Sequence, residues 1–299
     1  MLEPVLAQVC AALESQGIPA VAFKGPVLAR RAHGDVALRP AIDLDLLVRR
    51  DDLHRAVTVL VAQGYALRVD PQRPDGLPEL HFRLDHPEEW GPRIELHWRV
   101  HWADEGHGDA IVARATPAAD RGPLVPAASD ELAILLLCYA RDGFVGVRLA
   151  ADIAGWWDNL GSELGPQALE PLAADHPHLV PALASAVVVA QAVAGVAAQR
   201  LMSGPTLARA PQRTLRLADP LALGDPQQLR AQIVMVERQT IPAAERPAFR
   251  RRLRARAAEA GGHSFPYYPK LAARATMAAL RPPSRLVRTG DTIVPVPRA

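Results

Sequence analysis

The stretch Arg39-Pro-Ala-Ile-Asp-Leu-Asp-Leu-Leu-Val48 places two acids inside an apolar segment. Side chains alternate between the two faces of a β-strand, so the pattern predicts Asp43 and Asp45 on one face. The opposite face carries the apolar side chains of Ile42, Leu44 and Leu46. Burial of that face sets the strand register and leaves the two carboxylates adjacent, where they repel unless a cation lies between them. The arrangement predicts a Mg²⁺ site and phosphate chemistry, and the alternative is a pair of solvated acids on an edge strand.

A third acid has a similar setting in the segment Arg93-Ile-Glu-Leu-His-Trp98. Glu95 and His97 share one face of this predicted strand, and apolar side chains take the other face. Together with Asp43 and Asp45, Glu95 would complete a triad of metal-binding carboxylates. The alternative for Glu95 is a surface acid that pairs with a neighbouring arginine.

A basic turn precedes these acids in the chain. Residues 20–23 are predicted to form a short buried strand, after which Lys24-Gly25-Pro26 begins a helix-like segment. Gly25 lets the backbone approach a phosphate closely, Pro26 suits a first helical turn, and Lys24 adds a point charge. Further along, Arg39 either binds a phosphate or carboxylate bidentately or forms a structural bridge to a nearby aspartate.

This ordered set of motifs, over roughly residues 15 to 105, resembles that of the uncharacterised nucleotidyltransferase family of the DNA polymerase beta-like nucleotidyltransferase superfamily. The motifs that carry the resemblance are Lys24-Gly25, Arg39-Pro40, Asp43-Leu-Asp45, the helix from Asp51 to Gly64-Tyr65, Glu95-Leu-His-Trp-Arg99 and a weaker echo at Arg148-Leu-Ala-Ala-Asp-Ile153. Most characterised superfamily members have Gly-Ser or Gly-Gly where this chain has Lys24-Gly25, which is similar to the pattern of this particular family.

The resemblance implies that Asp43, Asp45 and Glu95 hold two divalent ions, Mg²⁺ or Mn²⁺. The implied reaction transfers a nucleoside monophosphate from an NTP, with ATP the expected donor, to an acceptor, and pyrophosphate leaves. The acceptor would be a peptide, a sugar or a small biosynthetic metabolite. Two other functions stay open: a non-catalytic nucleotide- or partner-binding regulator on the same fold, and phosphoryl transfer to a peptide in natural-product biosynthesis.

The resemblance also implies roles for residues around the metal site. The residues implied to bind the nucleotide are Lys24, Gly25 and Arg39. The residues that would support the site from its surroundings are His97, Arg148 and Asp152. Arg148 and Asp152 lie four positions apart on a predicted helix, so a helix-surface ion pair explains them equally well. A zinc site at His97, His101 and His107 is disfavoured, because strand spacing separates the first two by about 13 Å along the chain.

Composition describes a globular chain without a disulfide framework. Hydrophobic residues make up 49% of the 299 residues, so disorder is not expected. The net charge of +2 neither requires nor excludes a polyanionic substrate. Cys10 and Cys138 stand far apart without a Cys-x-x-Cys motif, which is consistent with a reducing, cytoplasmic location. The arginine run at residues 250–256 has no interleaved aromatic residues, so nucleic acid is not an expected partner.

The expected fold class is α/β (α+β), a small mixed sheet with flanking helices, followed by an α-helical second domain. We predict a nucleotidyltransferase-like domain at residues 1–125, a helical domain at 126–280 and a flexible, Pro-rich basic tail at 281–299. Residues 180–199 lack charge over a length that could span a bilayer. Their alanine-rich composition with internal polar residues predicts a buried helix instead, so no membrane span is expected.

Overall fold

The computed structural model describes the backbone of residues 2–68, 76–118, 122–218, 226–259, 284–289 and 292–297. The chain forms two compact units. The first comprises Met1–Ile134 and Asp158–Leu164, and the second comprises Leu135–Trp157 and Gly165–Ala299. The domain boundaries at residues 125 and 280 stay predictions.

A mixed β-sheet forms the centre of the first unit, with the strand order β3-β4-β5-β2-β1-β7-β6. The strands are β1 (Val21–Ala22), β2 (Asp43–Leu47), β3 (Ala66–Arg68), β4 (His81–Asp85), β5 (Arg93–His97), β6 (Thr116–Pro117) and β7 (Leu124–Val125). The pairs β2–β5 and β1–β7 are parallel, whereas the other neighbours are antiparallel. The predicted mixed sheet is therefore confirmed, and the short strands β6 and β7 are additions that the sequence pattern did not indicate.

Helices cover the apolar face of this sheet. The helices that begin in the first unit are α1 (Leu2–Glu14), α2 (Gly25–His33), α3 (Leu53–Ala62), α4 (His107–Arg114) and α5 (Ala128–Arg141), whereas α6 (Val147–Leu160) begins in the second unit. The apolar stripes of α1 and α3 join the inward side chains of β2 and β5 in one hydrophobic cluster. Leu44 and Leu46 are buried in that cluster, as the alternating pattern of β2 predicts.

Ile42 corrects one detail of the predicted strand. The sequence places it on the buried face with Leu44 and Leu46, but its side chain is 81% exposed. The strand begins only at Asp43, because the preceding segment follows Pro40 and is not part of the hydrogen-bonded ladder. Residues before the first paired position are not held to the alternation of the strand.

The second unit is mainly helical. Its further helices are α7 (Glu170–Asp175), α8 (Val180–Ala194), α9 (Ala198–Leu201), α10 (Gly204–Leu207), α11 (Gln212–Leu217), α12 (Pro226–Thr240) and α13 (Arg246–Glu259). Residues 281–299, the predicted tail, contain the antiparallel strands β8 (Ser284–Thr289) and β9 (Thr292–Pro297).

Helix α8 confirms the prediction of a buried helix at the uncharged stretch. Eleven of its 15 residues are buried, and Gly195 ends it in the left-handed conformation at φ +68°. A bilayer core needs about 20 apolar helical residues, so α8 is too short to cross one. Across the described part of the chain, no helix combines the length and the apolar character that a membrane span requires.

The Glu170 carboxylate of the second unit stabilises the folded protein in a way that depends on pH. Glu170 accepts hydrogen bonds from the Ser203 backbone N–H and the Thr206 hydroxyl at the start of α10. Burial raises the pKa of Glu170, but these hydrogen bonds outweigh it and hold the pKa below its ordinary value. Because the folded-state pKa is depressed, this stabilisation exists above the unfolded pKa and is lost as pH falls through the folded pKa.

We therefore expect Glu170→Gln to destabilise the protein by about 1–2 kcal/mol at pH 7, since one charge-assisted acceptor is lost. The difference in unfolding free energy from the wild type should shrink towards zero as the pH is lowered below the ordinary glutamate range. Urea denaturation of both proteins across this pH range measures it. A difference that stays constant with pH would contradict the role of the carboxylate charge.

Candidate active site

Asp45 and Glu95 lie beside each other at the centre of the sheet. The parallel register of β2 and β5 pairs Asp45 with Glu95, so both side chains project from the same face. Asp45 is only 6% exposed, and Glu95 is partly buried. Asp43, at the first residue of β2, follows the same alternation and pairs with Arg93. The predicted face of strand acids therefore exists, opposite the hydrophobic cluster.

Lys24 and His97 flank the Asp45 carboxylate. The Lys24 Nζ donates to Asp45 Oδ1 at 3.2 Å, and His97 Nε2 lies 3.2 Å from the same oxygen. Burial raises the pKa of Asp45, but the Lys24 charge and the His97 hydrogen bond outweigh it and hold the pKa well below its usual range. Asp45 is thus an ionised carboxylate kept inside the protein by positive neighbours.

Glu95 belongs to a second compact group, formed with two histidines from adjacent strands. Its Oε2 lies 3.6 Å from His97 Nε2 and 3.8 Å from His81 Nδ1, and the two imidazole rings are 4.5 Å apart. Burial raises the pKa of Glu95, but the His97 hydrogen bond and the charges of His81 and His97 outweigh it, so the pKa falls to about 2. Glu95 therefore stays ionised across the physiological range.

This group has the geometry of a metal site. One ligand atom from each of His81, Glu95 and His97 lies within 4.8 Å of the others. The His97 nitrogen that faces Glu95 is Nε2, which also lies 3.2 Å from Asp45 Oδ1, so this nitrogen lies near both carboxylates. Two imidazoles with one carboxylate suit Mn²⁺ or another transition metal better than Mg²⁺, which prefers oxygen ligands. The donor set fits a divalent ion, and its nitrogen content distinguishes it from a triad of carboxylates alone.

The Lys24-Gly25 turn lies where β1 passes into α2. Gly25 adopts φ +58°, a conformation that costs other residues energy. A Cβ built on Gly25 would stand 3.5 Å from the Asp43 backbone oxygen, so the start of α2 lies against the start of β2. Lys24 occupies the N-cap position and Pro26 the first helical turn. The turn thus places the N-terminus of α2 beside the Asp43 backbone and the Lys24 ammonium at Asp45. A helix N-terminus with a lysine is a setting for anions.

The remaining predicted residues have separate locations. Arg39 is buried at 7% exposure and caps the 3-10 helix Val36–Leu38, four residues before β2. Arg148 and Asp152 lie on α6 in the second unit, where Asp152 is buried and Arg148 is exposed. Their roles at the site stay predictions.

Two further histidines, His101 and His107, follow β5 in the chain. His101 uses its Nδ1 to accept the Ala103 backbone N–H, and His107 begins α4 with its backbone N–H donated to Asp104. Neither belongs to the His81–Glu95–His97 group.

His81 is the site residue that sequence reasoning missed. The sequence Leu80-His-Phe-Arg-Leu84 predicts a strand, but it does not show which strand lies next to it. The antiparallel register of β4 and β5 pairs His81 with His97 and Arg83 with Glu95. The feature of the sequence that could indicate His81 is the alternation in His81-Phe-Arg-Leu-Asp85. This alternation places polar side chains on one face of the strand, beside those of β5.

A family model described as an uncharacterised nucleotidyltransferase matches residues 2–195, which is more than half of the chain. A solved structure that resembles the chain is that of an antigenic nucleotidyltransferase-like protein from Paracoccidioides brasiliensis. It has 18% sequence identity and a TM-score of 0.38, and the match covers 61% of this chain and 91% of the other. No curated protein matches.

Proposed function

The chain belongs to the uncharacterised nucleotidyltransferase family, and from this premise we propose that it transfers a nucleoside monophosphate from an NTP to a peptide, a sugar or a small metabolite. The observation that supports the proposal most strongly is the pairing of Asp45 with Glu95 on adjacent strands, with the Lys24 ammonium at the Asp45 carboxylate. In the reaction, an acceptor hydroxyl releases its proton to solvent water and its oxygen forms a bond to the α-phosphorus. The bond from the α-phosphorus to the β-phosphate oxygen breaks, and pyrophosphate leaves.

In this proposal Asp45 and Glu95 hold the cation, because their depressed pKa values make them poor proton acceptors and keep them charged. Asp43, Asp45 and Glu95 are the proposed carboxylate ligands, with His81 and His97 beside Glu95. A bound Mn²⁺ or Mg²⁺ would supply charge neutralisation on the triphosphate and acidify the acceptor hydroxyl.

The triphosphate is proposed to lie at the Lys24-Gly25 turn. The free N–H groups at the start of α2 and the Lys24 ammonium face developing negative charge there. We further propose that Arg39 adds positive charge near the phosphates and that ATP is the donor. Arg148 and Asp152 are proposed to support the acceptor side.

The direct test uses the four NTPs labelled at the α-phosphate. Each is incubated with the protein, Mn²⁺ or Mg²⁺, and fractions that contain peptides, sugars or small metabolites. We expect label from one preferred NTP to appear in a single acceptor class, with release of one pyrophosphate. Hydrolysis alone, or an acceptor labelled only in a parallel reaction with γ-labelled NTP, would replace this proposal with another donor chemistry.

Lys24 allows a test with two effects of opposite sign. Its ammonium lies 3.2 Å from Asp45 and is only 13% exposed, so it competes with any metal that binds this carboxylate. We expect Lys24→Gln to strengthen Mn²⁺ binding to the nucleotide-free protein about tenfold and to weaken ATP binding by a similar factor. Electron paramagnetic resonance of free Mn²⁺ and a calorimetric ATP titration measure the two effects.

Arg30→Gln is the matched control for Lys24→Gln. It removes one positive charge from the same helix, but Arg30 is exposed and pairs with Glu3. We expect this variant to bind both Mn²⁺ and ATP as the wild type does. Equal changes in the two variants would show an effect of net charge and contradict the specific competition at Asp45.

A further inference from the structure

A cationic cavity of about 780 Å³ lies in the second unit, outside residues 2–195 that match the family. Helices α11, α12 and α13 line it. Five of its ten described lining residues are arginines, and none of these ten is acidic: Arg213, Arg238, Arg246, Arg250 and Arg254. All five side chains are exposed, so their guanidinium groups can reach a ligand in the cavity. We name this feature the arginine cavity.

The sequence concentrates this charge on one helix face. Arg246, Arg250 and Arg254 follow each other at intervals of four residues on α13, so their side chains lie along the same side. Like charges at this spacing repel, and Arg238 and Arg213 bring two more from neighbouring helices. Such a surface is unfavourable by itself and is stabilised when a multivalent anion neutralises it.

A buried ion pair holds the walls of the arginine cavity in place. Arg252 of α13 donates to Glu237 of α12, and their side chains are 5% and 1% exposed. Glu237 is therefore committed to Arg252 inside the unit and does not neutralise the exposed arginines. The pair fixes the two helices that carry Arg238 and Arg250, which prepares the cavity for a ligand before it binds.

We propose that the arginine cavity binds a compact anion that carries several phosphate groups, such as a polyphosphate chain or a polyphosphorylated metabolite. The cavity volume lies within the range typical of small-molecule sites, and guanidinium groups bind phosphate oxygens in pairs of parallel hydrogen bonds. Phe249, the aromatic lining residue, is only 6% exposed, so it offers no open ring face on which a nucleic-acid base could stack. The lining therefore favours a small polyphosphate over single-stranded RNA.

The test is a calorimetric titration of the full chain with sodium tripolyphosphate in about 150 mM NaCl, with EDTA present to exclude metal-dependent binding elsewhere. We expect the wild type to bind, and Arg250→Glu to weaken binding by roughly tenfold or more. The matched control is Arg251→Glu, because Arg251 is exposed on the same helix but does not line the cavity. It should change the affinity by no more than about twofold, since only net charge differs.

Two further variants keep the outcome interpretable. Arg238→Gln removes a cavity arginine from α12 and should weaken binding even if Arg250→Glu fails to fold. Arg209→Gln should leave tripolyphosphate binding unchanged, because Arg209 is an exposed arginine of the second unit that does not line the cavity. The proposal is overturned if the wild type does not bind, if Arg251→Glu loses as much affinity as Arg250→Glu, or if single-stranded RNA binds more tightly than tripolyphosphate.

Discussion

Asp45→Asn is expected to reduce nucleotidyl transfer by about three orders of magnitude or more while the protein stays folded. Asp45 is buried between Lys24 and His97 and directly beside Glu95, so it contributes the central negative charge of the site. Asparagine has nearly the same shape and retains one oxygen acceptor, but it does not attract a divalent cation. The loss is therefore expected in turnover and metal binding, with the hydrophobic cluster on the other face unaffected.

Transfer of α-phosphate label from the preferred NTP measures this effect. Asp51→Asn is the matched control, because Asp51 is an exposed acid of the same unit. It should retain the wild-type rate. Circular dichroism and thermal unfolding establish that both variants are folded. An Asp45→Asn protein with ordinary turnover would remove this carboxylate from the mechanism.

Leu46→Ala is expected to lower the free energy of unfolding by about 2–5 kcal/mol. Leu46 is fully buried on the apolar face of β2, directly after Asp45 in sequence. Removal of its side-chain carbons from a packed cluster loses hydrophobic burial and leaves a cavity. This change tests the face assignment on which the position of Asp45 depends.

Leu67→Ala is the comparison for Leu46→Ala. Leu67 lies on the edge strand β3 of the same sheet, but it is 37% exposed. We expect its replacement to cost less than about 1 kcal/mol, because the remaining structure loses little buried contact. Urea denaturation of the two variants measures both values. Similar losses in the two variants would contradict the burial of Leu46 in the hydrophobic cluster.

Local patterns in the sequence were sufficient to predict much of the first unit. The alternation around Asp45 predicted the strand and its two faces, and the acids before the apolar stripe with Gly64 behind it predicted α3. These features depend on neighbours in the chain. Ile42 was misplaced because alternation does not reveal where strand pairing begins.

The contacts between strands that lie far apart in the chain could not be predicted from the sequence. The parallel pairing that brings Glu95 to Asp45, and the antiparallel pairing that brings His81 to His97, depend on the order of strands in the sheet. A single sequence does not encode that order in any short motif. The prediction consequently gave His97 only a supporting role and lacked His81, and so it missed the preference for a metal that accepts nitrogen ligands.

The most direct test of the central claim is a titration of the purified protein with each of the four NTPs, with and without Mg²⁺ or Mn²⁺. We expect one NTP to bind only when the metal is present. Asp45→Asn should abolish this binding, whereas Asp51→Asn should retain it. Absence of binding by every NTP, or metal-independent binding that Asp45→Asn leaves unchanged, would contradict a nucleotidyl-transfer site at Asp45 and Glu95.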